Sequence, residues 1–377
     1  MGATAPTASV QAGSDTIAAG RAVLRFLGKG DIAGHEFHGN QWTGSIGHAA
    51  VATLNARTAA GITANDIPRA PTGALNEPQR AIETRFANYI ASQGVPAILA
   101  EYAKLPEAAG GKVLNTDTFR ELSADYRADR SLSAAVHEPA SYLTKLAFAA
   151  ALAKPPETGM AVFTAGGAGA GKSSAVAAVP EVKSLEEHAD FVYDSNMNDA
   201  AKTIPRIDAT IASGRDVTIV YVGRDPVDAL KNGALPRAMR MGRTVPLSEH
   251  VRTHVESARA IQAVREHYAG NPRVHFAYID NSLGRGAARL TNESLPRKFD
   301  YNNLETRLKD TLNHEYAQGH ISERVYRGTL GKLLAALRKA IGRGEGQADR
   351  GDDGQEPELE RHQVQAFLTV RKFLRGA

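Results

Sequence analysis

The sequence predicts an α/β protein, a parallel sheet with helices on both faces, extended by further helical segments toward its N-terminal and C-terminal ends. Two observations predict it. Short apolar runs alternate with segments whose apolar residues recur at helical spacing, and at residues 160–174 one such run passes through a glycine loop directly into helix formers. The run at 217–222 reads as a continuous apolar strand but for Thr218, the pattern of a strand covered on both faces.

Composition bounds what this fold can do. With 377 residues and 42% hydrophobic content the chain can bury a sizeable core, and its length suggests two domains or one with extensions. No apolar run approaches the length of a membrane span, and the first residues lack the basic and apolar segments of a secretory signal. A cytoplasmic protein without membrane contact is expected. The absence of cysteine excludes disulfides, thiol catalysis and cysteine-ligated zinc. The net charge of +4 is spread along the chain rather than gathered into a basic stripe with aromatics, so anionic small molecules are expected as ligands rather than nucleic acid.

In chain order, residues 17–27 carry one short helical pattern. Residues 34–44 gather His35, Glu36, His38 and the only tryptophan, Trp42, in a glycine-flanked loop that lacks a third metal ligand and resembles a short motif of tailed-phage and prophage proteins. From 75 to 105 the spacing of Ile82, Phe86, Tyr89 and Ile90 predicts a packing helix. Val113 and Leu114 form a short β-like run ending in Asn115-Thr116-Asp117-Thr118-Phe119-Arg120, and a helix follows from His137. Strands are predicted at 161–163, 191–193, 217–222 and 274–279, the last taken as the final strand. Helices fall between them, one marked by Ile204, Ile207 and Ile211 and one by Val251, Val255, Ile261 and Val264. Beyond Leu304 the pattern is helical, with an amphipathic stripe at Leu330, Leu333, Leu334, Leu337 and Ile341. A polar acidic linker (342–358), expected to be disordered, precedes a short terminal helix.

The chemistry is expected at the carboxyl ends of the strands. Gly166-Gly167-Ala168-Gly169-Ala170-Gly171-Lys172-Ser173, followed by Ser174, has the spacing G-x-x-x-x-G-K-[ST] of a P-loop NTPase. Glycines let backbone N–H groups turn inward around phosphates, Lys172 reaches the β- and γ-phosphates, and the Ser173 hydroxyl is a ligand of Mg²⁺. ATP with Mg²⁺ is the expected ligand. Asp194, at the end of the next strand, is placed to organise the metal or its waters, and Asp117, on a separate strand tip, is the expected base, with Thr118 and Arg120 beside it to hold a substrate. Arg237, Arg240 and Arg243 recur at spacings of three and are candidates to clamp phosphate oxygens.

Together these pieces resemble the zeta-toxin family of small-molecule kinases, over roughly residues 113–284. Asn115-Thr116-Asp117-Thr118-Phe119-Arg120 resembles the family's D-x-D-x-F-[RK] substrate segment, with Asp117 on the acidic position that faces the substrate hydroxyl. The stretch from His137 to Ser141 resembles its substrate-contacting helix start, Val192-Tyr193-Asp194-Ser195-Asn196 its metal-supporting strand, Gly242-Arg243-Thr244-Val245-Pro246 its G-R-x-V-P element, and Asp280-Asn281-Ser282 the close of its last core strand. Two departures stand out: Asn115 replaces a usual aspartate, and the substrate segment precedes the glycine loop instead of following it.

The resemblance implies phosphorylation of a hydroxyl on a nucleotide sugar such as UDP-N-acetylglucosamine, toxicity, and an antitoxin or phage-protein partner. It implies Asp117, Lys172 and Arg243 as catalytic, and Asn115, Asp117, Thr118, Arg120, His137 and Ser141 as substrate-binding. The division expected is an N-terminal region (1–74) and a kinase domain (75–290) made of a helical lead-in (75–110), a substrate segment (111–153) and a nucleotide-binding core (160–284). A helical extension (291–342) and an acidic tail (343–377) follow. The helical region that precedes Asp117, up to about Gly110, is placed to cover the site itself. The competing expectation is a nucleotide-binding module of a phage-derived assembly that binds ATP without transferring phosphate.

Overall fold

The computed structural model describes residues 62–331, apart from 285, 297 and 298. The readings made for 17–27, for 34–44, and for the stripe beyond Leu330, the linker and the terminal helix lie outside the described residues. The chain divides into a unit from Met1 to Gly331 and a second from Lys332 to Ala377; the described residues all belong to the first.

The first helix, α1 (Glu77–Gln93), opens on a capping box between Asn76 and Gln79 and buries Ile82, Phe86 and Ile90 on one face. The sequence reading carried this helix on toward residue 105, but Gly94, at φ 75°, ends it, and a second helix, α2 (Val95–Tyr102), leaves in a new direction. Tyr102 then does two jobs for the strand that follows, β1 (Val113–Asn115). Its ring stacks on Phe119 with centroids 3.6 Å apart, while its hydroxyl donates to the Val113 carbonyl at 2.6 Å and accepts from the Asn115 N–H at 3.1 Å. Residues 77–102 are therefore part of the core that aligns β1, not a removable cover.

After β1 come α3 (Thr116–Arg120), α4 (Ala124–Ala128) and α5 (His137–Ala153). The glycine loop joins β2 (Met160–Ala165) to α6 (Lys172–Ala178), and α7 (Pro180–His188) leads to β3 (Phe191–Asp194). Then follow α8 (Ala200–Ala212), β4 (Asp216–Gly223), α9 (Pro226–Ala229), a five-residue π-turn (Leu230–Ala234), α10 (Leu235–Met241) and α11 (Leu247–His267). The described part closes with β5 (Val274–Asp280), β6 (Arg289–Thr291), α12 (Tyr301–Ala317) and α13 (Glu323–Leu330).

The six strands form one sheet in the order β1-β3-β2-β4-β5-β6. The first five are parallel, and β6 runs antiparallel to β5. The expectation of a wholly parallel sheet ending at 279 is corrected here. A three-residue edge strand after a glycine turn carries no periodicity long enough to register in sequence. Alternate residues of the central strands enter two separate cores: Ala161, Phe163, Val217 and Ile219 on one face, Val162, Val220 and Val222 on the other with Ala175, Val176 and Leu185. Helices therefore cover both faces.

The strand order resolves the unusual chain order. β1 lies outside β3, with Asn115 in register with Asp194, which is in turn in register with Thr164 of β2. The strand that precedes the glycine loop thus delivers its tip beside the strand that follows it. The chain reverses its direction of travel across the sheet at β2, the kind of crevice where ligands of open α/β sheets bind.

Candidate active site

The glycine loop is shaped by contacts on its outer side. Gly166 has φ 139° and lies so close to β4 that a Cβ would stand 2.5 Å from the Val222 carbonyl oxygen; its N–H donates to Asn196 O at 3.2 Å. Side chains hold loop carbonyls: among them, Arg224 donates to Gly169 O at 3.3 Å, and the buried Asn281 donates to Ala170 O at 2.7 Å. In a trans peptide the N–H points opposite to the carbonyl. The N–H of Gly171 is thereby turned away from Asn281, in line with the first-turn N–H groups of α6, which have no intrahelical acceptor.

Lys172 leads this helix, and its ammonium donates to Asn196 Oδ1 at 2.8 Å. Burial pushes the ammonium below its ordinary pKa against the pull of Asp194 and Asp117, and the fields of Arg237 and Arg243 add to the drop. Ser173 and Ser174 are exposed at the mouth of the loop.

Asp117 sits in the first turn of α3, whose N-cap is Asn115: the Asn115 amide oxygen accepts from the Asp117 N–H at 2.6 Å. Its carboxylate is held from two sides. Arg120 Nη1 lies 2.8 Å from Oδ1, and Arg243 Nη2 contacts Oδ2. Burial works to raise this carboxyl, but Arg243 and Arg120, with Arg237 behind them, outweigh it and hold it well below the usual carboxylate range. Arg120 also reaches His137 Nδ1 at 2.7 Å from the start of α5; a guanidinium only donates, so Nδ1 accepts and the ring hydrogen sits on Nε2, and desolvation, then the Arg120 charge, push the imidazole down.

Arg237 lies in the field of Arg243, Asp117 and Arg120, and burial pushes its pKa down. The Nε groups of Arg120 and Arg237 are buried with no hydrogen-bond partner. Four cations, Lys172, Arg120, Arg237 and Arg243, thus gather around Asp117 and Asp194. The cluster has more buried donors than acceptors.

Asp194 accepts from Asn115 Nδ2 on one oxygen and from the Thr164 hydroxyl on the other. The departure at Asn115 has a local consequence: its amide joins two strand tips where an aspartate would set carboxylate against carboxylate. Glu186 of α7 feels Asp194 too, and burial together with that neighbour pushes its carboxyl up to about 7. Among the described residues no three His, Cys, Asp or Glu side chains gather as a metal-binding group. Asp194, with both oxygens occupied, fits a role toward Mg²⁺ through water better than direct ligation.

The structure brings together Asn115, Asp117, Arg120, His137, Lys172, Asp194, Arg237 and Arg243. Arg240 is exposed on α10 and makes none of the cluster's contacts. Thr118 is buried at the back of α3, its hydroxyl toward Tyr102. Ser141 lies one turn beyond His137, half-buried, with no polar contact to the cluster. Sequence reasoning missed Asn196, Arg224 and Asn281 as site residues. All three follow the carboxyl ends of strands, and that position was the available signal. Among the described residues no helix is long and apolar enough to cross a membrane.

No protein-family model matches the chain, and a search of curated proteins gives no match either. The zeta-toxin resemblance rests on the residues themselves.

Proposed function

We propose that the chain is a kinase of the P-loop NTPase type that uses ATP and Mg²⁺ to phosphorylate a hydroxyl of a nucleotide sugar, of the UDP-N-acetylglucosamine kind, as the zeta toxins it resembles do. One observation carries the reading. At the mouth of a glycine loop, Lys172 and three guanidiniums surround two carboxylates, and two of those guanidiniums keep a buried N–H without an acceptor. A surplus of positive charge with buried, unpartnered donors is suited to an anion, and a triphosphate matches it.

The residues divide the work. The loop N–H groups and Lys172 cradle the phosphates, and Arg243 and Arg237 face the γ-phosphoryl group, where charge spreads in the transition state. Ser173 and Asp194 would hold Mg²⁺, which supplies charge neutralisation on the phosphate oxygens. Arg120 and His137 position the acceptor beside Asp117. In transfer the bond from the γ-phosphorus to the β,γ-bridging oxygen breaks, a bond from the acceptor oxygen to that phosphorus forms, and the hydroxyl proton passes to Asp117. ADP and the phosphorylated sugar leave.

Asp117 is a weak base while two guanidiniums hold it. Phosphate oxygens compete for Arg243, and once that partner turns toward the nucleotide the carboxyl moves back toward its ordinary pKa. The base is therefore strengthened when ATP is in place. Such an enzyme would act in the cytoplasm, where both substrates are, and would be toxic by depleting a wall precursor. An antitoxin or phage protein is the partner that this reading calls for.

The doubly held Asp117 also favours the second reading, a module that binds ATP without transfer. Incubating the full chain with γ-labelled ATP and a panel of nucleotide sugars separates the two. Label on a sugar supports the kinase; ATP bound with no labelled product supports the module and refutes transfer.

A further inference from the structure

The glycine loop is gripped at one residue, Ala168, by a dipeptide of α11. The Ala168 N–H donates to Thr253 Oγ1 at 3.0 Å, and His254 Nε2 lies 2.9 Å from the Ala168 carbonyl. Thr253 is fully buried and His254 nearly so. The Thr253 hydroxyl spends its own hydrogen on the His250 carbonyl at 3.1 Å, so its oxygen is oriented to accept. Burial, with the neighbouring His250, pushes the His254 imidazole down to about 3. The ring is therefore neutral, and Nε2 carries the hydrogen that the Ala168 carbonyl accepts.

The same imidazole explains a glycine that the motif does not require. G-x-x-x-x-G-K-[ST] leaves residue 167 open, and Gly167 has a φ outside the left-handed region. A Cβ there would stand 2.4 Å from the His254 ring atoms, and a ring cannot swing aside as a chain end can. The histidine requires a glycine at 167, not the backbone. One turn earlier on α11, His250 Nε2 lies 2.9 Å from Pro226 O at the start of α9, whose Ala229 carbonyl would stand 2.6 Å from a Cβ on Gly169. One helix thus secures the loop and the segment that closes over it.

We infer that Thr253 and His254 are positioning residues for phosphate binding: they fix the two peptides that flank Ala168, one by its N–H and the other by its carbonyl, and hold the loop in its anion-binding shape before any ligand arrives. Neither touches the phosphates. The inference rests on the nucleotide reading, so its test has a part that needs no nucleotide.

In ligand-free protein, amide hydrogen exchange should find the Ala168 N–H protected, with protection lost in Thr253→Val and restored in Thr253→Ser. Free exchange at Ala168 in the wild type overturns the grip. In calorimetric titrations, Thr253→Val and His254→Phe should each weaken ADP binding by about tenfold, the scale of one lost hydrogen bond. Adenosine binding should be unchanged, because the loop faces only phosphates, and Thr253→Ser should recover ADP affinity. Gly167→Ala should weaken ADP binding in the wild-type background and much less beside His254→Ser. Equal losses for ADP and adenosine, or none for either, would make the pair merely structural and overturn the inference. A protected Ala168 amide in a wild-type chain that binds no ADP would leave the grip standing and remove the nucleotide reading instead.

Discussion

Replacing Asp117 by asparagine should separate two properties that usually fall together, abolishing transfer while tightening ATP. The carboxylate is the proton acceptor of the proposed reaction, and losing a positioned base costs about 10²- to 10⁴-fold in rate. The same carboxylate, held by Arg243 and by Arg120 at 2.8 Å, competes with ATP for Arg243. A unit-charge pair at ~4 Å is worth ~1 kcal/mol in bulk water and ~4 kcal/mol at an effective dielectric of about 20. The Asp117 side chain keeps 38% of its surface accessible, which places the competition in the lower half of that range, at about 1–2 kcal/mol. ATP should therefore bind Asp117→Asn about 5- to 30-fold more tightly than the wild type. Calorimetry with a non-hydrolysable ATP analogue reads the affinity, and label transfer from ATP reads the turnover. Wild-type turnover in the variant would remove Asp117 from the mechanism. Weaker ATP binding would show that the guanidiniums are not held back for the phosphates.

Three further outcomes follow from the contacts. Asn115→Asp places a second carboxylate against Asp194 in place of the amide that donates to it, so melting temperature should fall in chelator and recover in Mg²⁺; insensitivity to Mg²⁺ would count against a metal at this corner. His250 is pushed down to about 4 and His254 to about 3 by burial, so both are neutral in the folded chain while the unfolded chain takes up protons below about pH 6.5. Stability from His250 is present above that pH and is lost on acidification toward pH 4, by about 3 kcal/mol; ring NMR signals that titrate near 6.5 would contradict this. Arg215 is almost fully buried at the opposite, amino end of the strands, just before β4, donating to Asp190 at 2.8 Å and to Lys154 O at 2.9 Å. Arg215→Met should cost about 3–5 kcal/mol in chemical denaturation with ATP affinity unchanged in the folded fraction.

Much of this was readable from the chain because the signals were local. A strand, a glycine loop and a helix stand in one continuous stretch, and β4 and α11 have unbroken periods long enough to register. Lys172 was singled out by the glycine-loop motif and Asp117 and Asp194 by their places at strand tips, and the structure brings the three into one another's field. Spacing marked Arg237, Arg240 and Arg243 as candidates for phosphate, but neither the meeting of Arg243 with Asp117 nor its consequence could be read from it. That required knowing that Arg243 and Arg120 take opposite oxygens of one carboxylate. Arg240 fits the same spacing as Arg237 and Arg243 yet lies exposed, since three positions along a short helix do not fix which residue faces inward. The grip of Thr253 and His254 on Ala168 spans some 85 positions of chain, and no single-sequence pattern links them. β6 was missed because three residues carry no period, and the break at Gly94 because apolar spacing continues across it.

The most direct test of the central claim is a calorimetric titration of the full chain with Mg²⁺-ATP, wild type beside Lys172→Met. The account predicts one molecule bound per chain, with affinity reduced by about tenfold or more when the ammonium that faces the phosphates is removed. No binding by the wild type, or equal affinity in both proteins, would contradict it.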